Sequence, residues 1–337
     1  MIYNSILIHQ HFLYCRLQGL IWETNGLNTS FNLDTITGGV LSTIYREEEK
    51  RFPLIINCNG IIDNDDHGFS PIFSLIDEIK RPIYFLNSNH LIIRFRRLRD
   101  EFIKGDFNVN EPDKKTFIIS LKRKALDAEE LYPSCEILEN DLIKEFVYNC
   151  FEKFNDDLIL RLPSTPIAAN GVFNSSNLIS DPKSFMWISI KLSDKLNSFL
   201  KETLAKDKNL NTIKLLSVSL RSSPFAAAIG LLNKIEIDVI DHLGPKNKIF
   251  DIEELQNIFW TEQYQEYIYI GDFIFGGTEV KIAQAYAVLT GCKLEKALVI
   301  GSLFPVESFS DCFNLSSLID LKGLNEGAKF ALFEENI

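Results

Sequence analysis

Apolar positions in the first hundred residues follow two rhythms. Unbroken runs, FPLIINCNGII (52–62) and RPIYFLN (81–87), read as strands buried on both faces. Between them GFSPIFSLIDEIK sets Phe69, Ile72, Phe73, Ile76 and Ile79 at helical spacing. HLIIRFRRLRDEF (90–102) reads as a further helix, and DTITGGVLSTIYREEEKR (34–51) as an earlier one capped by Asp34 or Thr35. FLYCRLQGLIWET (12–24) reads as an extended, hairpin-like start. Strand and helix in alternation predict an α/β domain over residues 1–104, its strands covered by helices.

The polar stretch GDFNVNEPDKK (105–115) carries Gly and Pro and reads as a boundary. Residues 105–154 are then a linker ending in a connecting helix, ENDLIKEFVYNCFEKFN, with Leu142, Phe146, Cys150 and Phe151 roughly on one face. From 155 to 337 the rhythm changes again. LLSVSL (215–220), IEIDVID (235–241), YIYI (267–270) and KALVIGS (296–302) read as strands of a second α/β domain. PFAAAIGLLN and TEVKIAQAYAVLT read as the helices after the first and third of them.

Composition narrows the function classes. A chain of 337 residues with 46% hydrophobic content and 26 Phe can bury two cores. Its net charge of −11 argues against a general polyanion binder, so nucleic acid is not an expected partner. No run of eighteen apolar residues is present, so no membrane-spanning helix is expected. The start, MIYNSILIHQHFLYC, does not follow the plan of a secretory signal. Six cysteines without a C-x-x-C pair give no metal-site or disulfide framework and fit a reducing cytoplasm.

The chemistry concentrates at GDFIFGGT, residues 271–278. A strand that ends in a Gly-rich turn and feeds a helix directs backbone N–H groups at an anion. The helix is well written, with Ile282, Ala285, Tyr286 and Leu289 on one face and Gly291 as its stop. The P-loop pattern fits at Gly271, Gly276 and Thr278, but Gly277 stands in its lysine position. A plain strand-to-helix turn, with glycines where φ is positive, is the structural alternative.

With YIYI before it, the stretch resembles the signature of the type I phosphoribosyltransferases, the orotate branch in particular. The resemblance implies that Asp272 orients the ribose of phosphoribosyl pyrophosphate (PRPP) as the catalytic acid. It also implies that Phe275, Gly276, Gly277 and Thr278 hold the 5′-phosphate. LLSVSLRSSPFAAAIG (215–230) is similar to the family's diphosphate loop, with Arg221, Ser222 and Ser223 as ligands and Pro224 in the first helical turn. IEIDVIDHLGPKNKIF (235–250) would open the hood, supplying Lys246 and Lys248, with His242 beside them. IAANGVFNSSNLISDP (167–182) looks like a hood strand pair. Mg²⁺ would accompany PRPP, and a homodimer is expected by the same likeness. Two departures stand out: Gly271 occupies the place of the family's first acid, and Phe275 that of a small hydroxyl residue.

LIINCNGIIDNDDHGFSPIFSLIDEIKRPIYFLN (54–87) resembles a STAS domain, with Asp66 in the place of its phosphorylatable serine. An acid at a helix start is favourable by about 0.3–1 kcal/mol, which explains Asp65 and Asp66 structurally. Asp63, Asp65, Asp66 and His67 have the ligand types of a metal site, but exposed acid clusters of this kind are much more often a solvated turn. Arg94, Arg96, Arg97 and Arg99 read as a solvated face or a docking patch for an acidic partner. Two functions follow from the resemblances. The first expectation is a phosphoribosyltransferase-like protein that binds PRPP or a nucleotide monophosphate, with transfer of phosphoribosyl to a base as its potential reaction. Alternatively, the chain is a non-catalytic sensor or scaffold of a bacterial regulatory or defence system, contacting a protein partner through its front domain.

Overall fold

Branched and aromatic runs become the inner strands of two separate sheets. The computed structural model describes residues 2–8, 12–18, 21–23, 30–32, 35–36, 53–58, 63–64, 82–86, 107–113, 116–121, 135–155, 158–162, 167–204, 213–240, 266–303, 314–321 and 330–332. The chain divides into two compact units, Met1–Glu139 and Asn140–Ile337.

In the first unit the strands are β1 (Ile2–Ile8), β2 (Phe12–Gln18), β3 (Ile21–Glu23), β4 (Ser30–Asn32) and β5 (Thr35–Ile36). They continue with β6 (Leu54–Asn57), β7 (Asp63–Asn64), β8 (Ile83–Leu86), β9 (Phe107–Asp113) and β10 (Thr116–Leu121). Six of them form one mixed sheet in the order β1-β2-β6-β8-β10-β9. The apolar runs at 54–57 and 83–86 are fully buried and lie side by side in parallel, as strands covered on both faces do.

Three expectations are corrected here. The hairpin is β1 with β2, whereas β3 pairs with β4. Thr35 and Ile36, read as the start of a helix, form a short parallel bridge to Asp63 and Asn64. The supposed linker at 105–115 is strand β9, paired antiparallel with β10. Its Pro112 is tolerated because β9 lies at the sheet edge, beside a register shift. Asp65, Asp66, His67 and Arg94, Arg96, Arg97 and Arg99 lie outside the described residues.

Inside this unit a polar network is fully buried. Arg16 on β2 pairs with Glu139 at 3.0 Å, both side chains almost completely enclosed. Tyr14 Oη donates to Glu139 Oε1 at 2.7 Å, and Asn57 Nδ2 donates to the same oxygen at 3.0 Å. Glu139 lies on the helix Cys135–Tyr148, whose buried positions include Leu138, Leu142, Ile143, Phe146 and Val147. This helix stops at Tyr148, so Cys150 and Phe151 follow it rather than belong to it.

The second unit holds β11 (Phe151–Lys153), β12 (Leu160–Arg161), β13 (Ile167–Ala169), β14 (Gly171–Phe173), β15 (Ile213–Ser217) and β16 (Ile237–Val239). Its remaining strands are β17 (Glu266–Ile274), β18 (Lys293–Ser302), β19 (Asn314–Asp320) and β20 (Phe330–Leu332). Five form a wholly parallel sheet in the order β16-β15-β17-β18-β19. The helices are Ser176–Ser180, Pro182–Leu204, Ser223–Asn233 and Thr278–Leu289. Leu216, Tyr267, Tyr269, Ala297, Val299 and Leu315 meet Val280, Ile282, Ala283, Tyr286 and Ala287 of the last helix in one apolar cluster. That helix ends in a Schellman motif: Gly291, at φ 71°, donates to Val288 O, and Cys292 N–H donates to Ala287 O.

The expected pair at 167–182 splits between two sheets: β13 pairs with β12 and β20, while β14 pairs with β11. Chain order against strand order gives the unit its geometry. β15 is followed by its neighbour on one side, β16, and then by its neighbour on the other, β17. The connections therefore diverge at the β15–β17 seam, and in open parallel sheets a crevice opens beyond the strand ends at such a point.

Candidate functional site

The segments leaving β15 and β17 flank that seam. β17 is longer than its YIYI core suggests. It runs through Gly271, Asp272 and Phe273 to Ile274, buried throughout. The turn proper is therefore Phe275-Gly276-Gly277. Gly277 sits at φ 71° as the N-cap of the helix Thr278–Leu289, with no side-chain cap bond. A left-handed φ suits glycine, which has no Cβ to clash. Thr278 is the first helical residue and half-buried.

Asp272 is 8% exposed. Ser175 Oγ donates to its Oδ2 at 2.7 Å, and the Phe273 N–H donates to its Oδ1 at 2.8 Å. Burial pushes the carboxyl above its usual range; the Ser175 and Phe273 bonds and the charge of Arg221 oppose this. Glu279, in the first turn of the helix, accepts a 3.0 Å bond from Tyr269 Oη. Burial, then the nearby Asp272 charge, pushes Glu279 up to about 7, opposed by the Tyr269 bond and Arg221. The Arg221 charge that opposes both upward shifts comes from the segment after β15, the parallel neighbour of β17.

Gly271 has a packing reason. A Cβ there would lie 2.7 Å from Tyr269 Cε1 and Oη. The ring of Tyr269 fills the space that an acid at 271 would need. Phe275 is half-buried, its ring centroid 6.1 Å from that of Phe173 in a stacked arrangement. Phe173 also lies 5.0 Å from Phe273 and 5.0 Å from Phe151. An aromatic cluster therefore backs the turn.

The segment after β15 differs from its expected form. Ser222 is fully buried, its Oγ 2.7 Å from Ser217 Oγ. Ser223 Oγ donates to Leu220 O at 3.1 Å. Ser219, absent from the sequence reading, organises the turn. Its Oγ accepts from the amides of Arg221 and Ser222, and its carbonyl accepts from the amides of Ser222 and Ser223. These amides are committed within the turn, as Ser-turn geometry prescribes. The exposed Arg221 guanidinium remains as the group this segment offers an anion. Ser222 is not the helix cap by side chain either; its hydroxyl makes no cap bond. Lys246, Lys248 and His242 lie outside the described residues.

Ser175, Tyr269 and Glu279 are the functional candidates that sequence reasoning missed. Glu279 directly follows the Gly-Gly-Thr turn, and Tyr269 lies two positions before Gly271 on the same strand face. Both signals were present. Ser175 is 97 residues from Asp272, and no local pattern connects them. Among the described residues no group of three or more His, Cys, Asp or Glu is arranged to hold a metal. No described helix is long and apolar enough to cross a membrane.

No protein-family model and no curated protein matches the sequence. Among solved structures the chain is similar to orotate phosphoribosyltransferase from Aeropyrum pernix, at 14% identity and TM-score 0.40, covering 56% of this chain and 96% of that one. It is similar to UMP synthase from Leishmania donovani at 12% identity and TM-score 0.38, covering 55% of this chain. The chain spans 37% of the length of that UMP synthase. It is also similar to adenine phosphoribosyltransferase from Leishmania donovani, at 11% identity and TM-score 0.36, covering 55% of this chain and 82% of that one.

Proposed function

We propose that the second unit binds a phosphorylated ribose, as PRPP or a nucleoside monophosphate, at the crevice beyond β15 and β17. One observation carries the reading. β15 and β17 are parallel neighbours, so the Ser219–Ser222 turn that carries Arg221 and the Phe275-Gly276-Gly277 turn leave the sheet side by side at the same edge. The turn and the first amides of a 12-residue helix suit the phosphate. Arg221 suits a second anionic group, such as a diphosphate, and the carboxylates suit sugar hydroxyls. With a diphosphate ligand, Mg²⁺ would be held by the ligand's own phosphate oxygens, because Asp272 is enclosed with both oxygens already accepting bonds and the described residues form no metal cage.

As a phosphoribosyltransferase, the unit would displace diphosphate from C1 of PRPP. Asp272 would orient the ribose, Thr278 and the turn would anchor the 5′-phosphate, and Arg221 would neutralise the departing diphosphate. A second reading is favoured by Gly271 and Tyr269. With that strand position closed to an acid, the unit binds the ligand without transferring it and acts as a nucleotide sensor. The front unit then supplies the contact with a protein partner, as its STAS-like sequence implies. A PRPP incubation with Mg²⁺ and a panel of bases separates the two. Released diphosphate supports the transferase; binding without release supports the sensor. No binding of PRPP or of any nucleoside monophosphate overturns both.

A further inference from the structure

The reading above leaves open which carboxylate meets the sugar, and that of Glu279 is fixed in place. Tyr269 is fully buried in β17, and its hydroxyl donates to Glu279 Oε2. The same ring closes the side-chain space over Gly271. Gly271 is itself locked in register opposite Val299, so the backbone cannot yield to make room. Position 271 therefore offers no ligand-contacting group, and Tyr269 directs a carboxylate from the helix into the same neighbourhood. Glu279 remains half-exposed, whereas Asp272 is enclosed and already accepts bonds at both oxygens. Among the described residues, Glu279 Oε1 accepts no bond.

The chemistry of the neighbourhood limits what Glu279 can meet. A carboxylate beside Asp272 repels a phosphate and favours donor groups. The neutral donors of a sugar phosphate are its hydroxyls. Resting on the ribose-phosphate reading of this site, we propose that Glu279 is the ligand-contacting acid for the sugar hydroxyls and that Tyr269 is its positioning residue. Tyr269 from β17 bonds Glu279, and the charges that act on it are those of Asp272 from β17 and Arg221 from the segment after β15. Hydroxyl donors favour the ionised carboxylate. Affinity for the sugar therefore rises with pH through about 7, the point to which Glu279 is pushed.

The test is calorimetric titration of the full chain with ribose 5-phosphate and, separately, with inorganic phosphate. Wild type is compared with Glu279→Gln and with the ring-preserving Tyr269→Phe, each checked for folding by thermal melt. Glu279→Gln is expected to weaken ribose 5-phosphate about tenfold at about pH 8 while leaving inorganic phosphate within about twofold. Tyr269→Phe weakens the sugar phosphate by a smaller factor in the same selective sense. The ratio of wild-type to Glu279→Gln affinity grows between about pH 6 and about pH 8, a change that a merely structural role would not produce. Equal losses for both probes, or no loss for ribose 5-phosphate, overturn the assignment and leave the phosphate turn standing. Failure of wild type to bind either probe removes the site itself and the assignment with it. Should Glu279→Gln not fold, Tyr269→Phe alone decides, by the same selectivity.

Discussion

Ser175 Oγ lies 2.7 Å from Asp272 Oδ2 and donates to it across 97 residues of sequence. The bond ties the entry to the helix Ser176–Ser180 to the end of the central strand β17, and it offsets part of the cost of burying the carboxylate. Ser175 is itself fully buried, so no water takes its place without rearrangement.

Replacing that donor therefore has a defined cost. Ser175→Ala leaves Asp272 Oδ2 without its hydroxyl partner and lowers stability by about 1.5–3 kcal/mol, the range for a hydrogen bond to a charged group. Urea denaturation at neutral pH measures it, with the m-value unchanged. The Asp272 carboxyl also moves further up, because a bond that favours its ionised form is gone.

Gly271 and Tyr269 share one space, so their substitutions are coupled. Gly271→Ala drives a Cβ to 2.7 Å from the Tyr269 ring and costs about 1–3 kcal/mol as overpacking. In a Tyr269→Leu background the same change costs less. The double-mutant cycle measures the coupling, and an additive result would show that the contact is not what excludes a side chain at 271.

Acid titration of the second unit has a predicted sign. Glu279 is ordinarily near 4.5 and is pushed to about 7 in the fold. Between those values the folded protein holds a proton that the unfolded chain has released, so stability falls as pH rises through this window and levels off above it. The loss is of the order of 1–3 kcal/mol. Glu279→Gln removes this contribution. Urea midpoints at about pH 5 and about pH 8, in wild type and variant, measure the difference; Asp272 is shifted in the same direction, so the comparison with the variant isolates Glu279.

Sequence reasoning reached the central strands most directly, because Val, Ile, Leu and Tyr runs buried on both faces have few alternatives. The runs 54–57, 83–86 and 267–270 are strands for that reason. It failed where composition misleads. Asn, Glu, Pro and Asp in β9 look like a linker, yet an edge strand needs partners on one side only. The 23-residue helix Pro182–Leu204 went unread although its start is well marked. Asp181 accepts from the amides of Lys183 and Ser184, and Pro182 takes the first helical position. At the site, local pattern reached the strand-turn-helix course of 267–289 and the need for a glycine at the left-handed Gly277. A hydroxyl beside a helix start serves a ligand or the turn's own backbone equally well in sequence, and the Ser222 hydroxyl is bonded to Ser217 Oγ and Ser219 O. Tyr269 as the occupant of the Gly271 side-chain space needed three-dimensional packing.

The first unit makes an independent prediction. Glu139→Gln removes the charge that compensates Arg16 in a fully buried network. Breaking one partner of such a pair costs about 3–5 kcal/mol. Arg16→Met with Glu139→Leu, which removes both charges, costs much less. Thermal or urea unfolding of the three variants checks the ordering.

The most direct test of the central claim is calorimetric titration of wild type, Arg221→Ala and Thr278→Val with PRPP, with and without Mg²⁺. Saturable binding by wild type is predicted, weakened about tenfold or more in each variant, with unfolding midpoints unchanged. Wild-type binding that neither substitution alters would contradict the placement of the ligand at the β15–β17 crevice, and absence of binding would contradict the function.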